Sequence, residues 1–176
     1  MTSYPQAQAG YPQDAQTANR PGALTAALVL AAGAALAAIV DGILFITGAH
    51  DVAVSGLQEA AGSTMDSLRQ LGGDELVDET VNQVVSTLNT RAYVTIVAAV
   101  LLLVFGLLSA KAATWARVLT TISAAAVLVM GLRLFSDIGT GLMQGLGALA
   151  AVLALGTIVV VWLPANARYA KAVKRA

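Results

Sequence analysis

The sequence predicts an all-α membrane protein: four transmembrane helices, with an extracytoplasmic amphipathic helical hairpin between helices 1 and 2. Three observations carry this. The stretch Tyr93 to Ala110, YVTIVAAVLLLVFGLLSA, holds no charge, no proline and a single glycine, Gly106. With its flanks it reaches the ~20 residues needed to cross a hydrocarbon core of roughly 30 Å. Three further apolar stretches of similar length follow the same pattern, each broken by at most one charge. Finally, the 176-residue chain is 57% hydrophobic and 11% charged, against about 25% charged for a soluble domain. A single small globule has no interior large enough for that much apolar surface, so the natural solvent is lipid.

Residues 1–22 form a polar tail, with a short repeat of Tyr4-Pro5-Gln6 and Tyr11-Pro12-Gln13 in a Gln/Ala background. No apolar periodicity supports a core there, so the tail is expected to be disordered. Pro21-Gly22 closes it. The first span covers 23–49 and is dominated by alanine. Ala27, Ala31 and Ala35 lie on one line, Gly33 and Ala37 on the next, and small residues let helices approach closely. One charge interrupts it, Asp41.

Residues 50–91 are the one long polar region between apolar spans. Leu57, Ala61, Met65 and Leu68, then Val77, Val81, Val84 and Leu88, follow a helical period. Ser55 with Gln58 fits a capping box for the first hairpin helix. Gly72-Gly73 supplies the break, and Asp74, Glu75, Asp78 and Glu79 make an acidic first turn for the second. The face built from Leu57, Met65, Leu68, Val77, Val84 and Leu88 needs cover, from the tops of the spans or from a partner that docks on it. The region holds seven acids against two arginines, a balance of −5.

The second span covers 92–110, the third 118–135 and the fourth 141–163. The third is charged only at Arg133. The fourth opens on Gly141 and Gly145, a GxxxG, and Gly147 with Ala151 repeats the spacing, so these four are expected to form a helix-packing face. Pro164 stops the helix, and 164–176 form a basic tail. One side of the membrane would receive Arg20, Lys111, Arg117, Arg168, Lys171, Lys174 and Arg175; the other receives Arg69 and Arg91. The excess of Lys and Arg on cytoplasmic loops places both termini in the cytoplasm and 50–91 outside. Trp115 and Trp162 then fall at the cytoplasmic interface.

A charge inside a span costs on the order of 2.5–3.5 kcal/mol on insertion scales, so Asp41 and Arg133 each need a partner. Topology puts both in the same half of the bilayer, and they are expected to form a structural ion pair. Asp137, four residues after Arg133, competes for it. Arg133 snorkelling to the interface, a proton or ion relay through Asp41, or a charge on another protein meeting Asp41 are the alternatives. Thr120, Thr121 and Ser123 are expected to bond to their own helix carbonyls. The chain has no cysteine and one histidine, His50. No catalytic set, nucleotide loop or metal motif is legible, so neither enzyme activity, a cofactor, a metal nor a nucleic acid is expected.

The tail YPQAQAGYPQ followed by four Ala/Val/Leu-rich spans resembles the small four-span membrane proteins of actinobacteria with Tyr/Pro/Gln-rich cytoplasmic tails. The residues carrying the likeness are Tyr4, Pro5, Tyr11 and Pro12. The resemblance implies a bacterial plasma membrane and an accessory subunit of a larger membrane machine, such as the cytochrome bc–aa3 respiratory supercomplex. The expected function is therefore a non-catalytic accessory or scaffold subunit whose partners are the lipid bilayer and other membrane subunits. The alternative is a small oligomeric transporter or channel using Asp41 and Arg133.

Overall fold

Small and apolar residues recur at alternating steps of three and four, and this 3.5-residue period decides which way each helix faces. In the first helix the stripe runs Leu24, Ala27, Ala31, Ala34, Ala38, Asp41, Phe45, Ala49, all buried. In the last it runs Met143, Gly147, Ala150, Ala154, Thr157, Val161. The computed structural model describes residues 22–109, 114–136 and 139–168, and side chains throughout these except at 60–61, 63–69 and 71–72. The tail before residue 22, Lys111, Asp137 and the basic residues after 168 lie outside that set, as do the side chains of Met65 and Leu68.

Four helices make up the described residues: α1 (Gly22–Ala61), α2 (Ser63–Ser109), α3 (Thr114–Ser136) and α4 (Gly141–Val161). Each contains a stretch long and apolar enough to cross a membrane. They pack as a ring in which α1 borders α2 and α4, α3 borders the same two, and α1 and α3 face each other diagonally with little contact. The centre is filled mainly by alanine, with Leu102 and Val127 among the few larger residues. Around the outside, Val29, Leu36, Val104, Ile122, Val152 and Val159 are exposed. An apolar belt of this kind suits lipid, because helices in a bilayer associate through close packing rather than by hiding oil from water.

The polar region between the first two spans is not a separate pair of helices. α1 runs without a break from Gly22 to Ala61, which corrects the expected cap at Ser55. Ser55 sits mid-helix and donates its hydroxyl back to the Asp51 carbonyl at 2.7 Å. Continuity follows from the stripe, which Ala49, Val52 and Ala53 carry past the apolar span, all three buried. The chain reverses near two glycines with positive φ, Gly62 at 44° and Gly73 at 72°. Gly73 combines that φ with a ψ of 179°, a region open essentially to glycine alone. From there α2 continues through Ser109.

Of the apolar residues of 73–91, Val77, Val81, Val84, Val85 and Leu88 pack with α1, while Leu76 is exposed. Val77 and Val81 are buried beside Ala53, with Leu57, Val84 and Val85 packed around them, and Leu88 is buried in the next layer with Ala49 and Val52. The apolar face expected to seek an outside partner is thus consumed inside the α1–α2 pair, at Leu57, Val77, Val84 and Leu88. At 1.5 Å per residue the 40 residues of α1 span about 60 Å, roughly twice a hydrocarbon core. The 21 residues of α4 span about 32 Å. The first two helices therefore run past the other two as a paired rod.

At the end of the bundle where α3 begins and α4 stops, Trp115 and Trp162 are both exposed, as indoles at an interface are. α4 ends at Val161, where the Trp162 N–H bonds to the Val160 carbonyl. Pro164 then opens a short helical segment over 164–168, a position where its missing N–H does no harm.

Candidate functional site

Asp41 lies on the α1 stripe, seven residues after Ala34, so the helical period turns it inward. It is 1% exposed. Its carboxylate reaches from α1 to the point where α3 and α4 cross. That crossing is glycine on glycine: a methyl added at Gly131 would lie 2.8 Å from the Gly147 carbonyl oxygen and 3.3 Å from the Ala151 nitrogen. A methyl at Gly147 would lie 3.1 Å from the Gly131 oxygen and 3.4 Å from Asp41 Oδ2. Two backbones in contact leave no room for side chains, and the short acid of α1 closes the third side.

Apolar layers seal the carboxylate along the bundle. Toward the loop that joins α3 to α4, Phe45 and Met143 are buried. Phe45 Cζ stands 3.2 Å, and Met143 Sδ 3.7 Å, from where a methyl on Gly139 would be. In the other direction Ala34, Ala38, Val127 and Ala150 belong to the alanine core. Both carboxylate oxygens are buried and neither accepts a hydrogen bond from the protein. Leaving an ionised carboxylate so would cost several kcal/mol.

The expected ion pair with Arg133 is not formed. The buried stripe of α3 is Ala116, Arg117, Thr120, Ser123, Ala124, Val127, Gly131 and Leu134, and Arg133 falls between its last two members on the opposite face, exposed. Asp41 faces in; Arg133 faces out. At 1% exposure the carboxylate is also closed off from a charge on another protein.

Of the four residues expected to form a packing face on α4, Gly147 and Ala151 lie in the crossing. Gly141 and Gly145 do not, since a methyl on either meets nothing within 4 Å. A partner for Gly147 that sequence reasoning overlooked is Gly131. Its signal was present, because it stands four residues after Val127 on the α3 stripe.

A second polar cluster sits at the tryptophan end. Arg117 is 6% exposed and Asn166 is fully buried. The Arg117 guanidinium donates to the Asn166 carbonyl, and the Asn166 amide donates to the Val160 carbonyl at 2.9 Å. Trp162 Nε1 donates to Thr121 Oγ1 at 2.9 Å. These bonds tie the start of α3 to the end of α4 and satisfy carbonyls that a helix terminus leaves open. Thr120 and Thr121 also bond to the carbonyls of Ala116 and Arg117. Arg117 is a stripe residue and was legible as inward-facing; Asn166 carries no periodic signal.

The paired rod supplies the remaining polar surface. Asp51, Glu59, Asp74, Glu75, Asp78 and Glu79 are all exposed. Among the described residues no group of three or more His, Cys, Asp or Glu is placed to hold a metal ion. Comparison with protein-family models, curated proteins and solved structures finds no match.

Proposed function

We propose that the protein is a non-catalytic accessory or scaffold subunit of a larger membrane complex. In this reading it lies in a bacterial plasma membrane, with both termini cytoplasmic and residues 50–91 outside. One observation carries the reading: α1 and α2 continue past α3 and α4 as a rod that packs Leu57, Val77, Val81, Val84 and Leu88 between its own two helices. What the rod offers a neighbour is a polar, acid-rich surface on a rigid support, while the small-residue bundle anchors it. A basic extracytoplasmic surface of a membrane subunit is its complement. The tail resemblance points to a respiratory supercomplex as the assembly.

The test is mild-detergent purification of the wild-type chain and of a variant with Asp74, Glu75, Asp78 and Glu79 changed to Asn or Gln. The reading expects recovery within a large assembly for the wild type and weaker, salt-sensitive recovery for the variant. A lone species in both cases contradicts it. A second reading, a small oligomeric transporter using Asp41 and Arg133, is favoured by the unpartnered Asp41 carboxylate. Ion flux in liposomes from the lone protein would select it.

A further inference from the structure

We propose that Asp41 is a proton-binding site: it is held in the bundle as a neutral carboxylic acid at the Gly131–Gly147 crossing. The carboxyl of Asp41 ends against glycine backbone with no hydrogen-bond donor for either oxygen. Asp41 Oδ2 and the Gly131 carbonyl oxygen both approach the same face of Gly147, at 3.4 and 3.1 Å from the position of an added methyl. Both are acceptors, and no donor of the protein serves Oδ2. A proton on the carboxyl removes the charge and turns an unserved acceptor into a donor. A charge at this depth without a partner is disfavoured for the same reason.

The groups facing Asp41 from each element supply no alternative. On α1 itself the nearest titratable residues, His50 and Asp51, are more than two turns away and exposed. On α2, Arg91 is half-buried and Tyr93 exposed, while the buried Thr95 spends its hydroxyl on the Arg91 carbonyl at 2.8 Å. On α3, Arg133 is exposed; α4 carries no titratable side chain over Gly141–Val161. None of these bonds to the Asp41 oxygens. This inference is independent of the accessory role, because it concerns the interior of the bundle and not its rod.

Infrared spectroscopy of the full chain in liposomes tests it. At neutral pH the wild type is expected to show a carboxylic-acid C=O band that shifts on transfer to heavy water and is absent from Asp41→Asn. Should D41N fail to elute as the same species, Asp41→Glu replaces it, and the band is expected to move while persisting. No acid band that depends on residue 41, in either comparison, overturns the proposal. Carboxylate bands at residue 41 that respond to sodium or potassium also overturn it, in favour of a bound cation.

Discussion

Gly131→Ala is expected to destabilise the bundle by about 1–3 kcal/mol, the range for forcing an extra carbon into a packed interior. The new methyl would stand 2.8 Å from the Gly147 carbonyl oxygen and 3.4 Å from Ala151 Cβ. Neither the carbonyl nor the alanine has a torsion that relieves the contact, so the helices must separate. Gly42→Ala meets Ile96 Cγ1 at 2.7 Å and the Ala92 carbonyl oxygen at 3.2 Å; a β-branched side chain in a helix keeps one χ1 rotamer, so a loss of similar size is expected. Gly145→Ala meets nothing within 4 Å, and replacing glycine in a helix by alanine should stabilise by up to ~1 kcal/mol. Reversible unfolding in detergent measures the series. Equal losses at Gly131 and Gly145 would mean that the crossing lies elsewhere.

The second large effect is expected at Val81, which is 5% exposed in the seam between α1 and α2. Val81→Ala should cost about 1–2 kcal/mol through lost apolar burial. Val81→Asp should cost about 3 kcal/mol or more, since the carboxylate enters a site lined by Ala53, Leu57 and Val77 with no donor to receive it. Hydrogen exchange localises the damage. Protection should fall over 50–61 and 73–88 while 93–109 stays protected, because the apolar part of α2 has its own packing. Unchanged exchange in the rod would contradict the seam.

These two sites show what a reader of the sequence can extract and what escapes. The all-helical class and four apolar stretches follow from hydropathy alone, because lipid demands helices with every backbone group satisfied. The alternation of threes and fours also shows inward positions, and along α1 it points at Asp41. Followed strictly, the same stripe on α3 passes through Val127, Gly131 and Leu134 and turns Arg133 outward. The expected ion pair arose from matching depths in the bilayer while ignoring azimuth. The Ser55 cap erred differently: Ser55 and Gln58 satisfy a local capping pattern, yet the stripe continues through Val52 and Ala53, and tertiary packing outweighs a local signal. Gly141 and Gly145 satisfy a spacing rule on an exposed face where no helix of this chain packs. Asn166 escaped because its role depends on where Pro164 re-aims the chain, which no local pattern encodes.

In the proposed topology the α1–α2 rod leaves the membrane on the side opposite the chain ends. The chain contains no cysteine, so single substitutions Glu75→Cys and Arg175→Cys can be probed in intact cells with a membrane-impermeant maleimide. Cys at position 75 should label at once, and Cys at position 175 only after the membrane is permeabilised. Labelling of both positions before permeabilisation, or of neither, would place rod and terminus on one side and contradict the account.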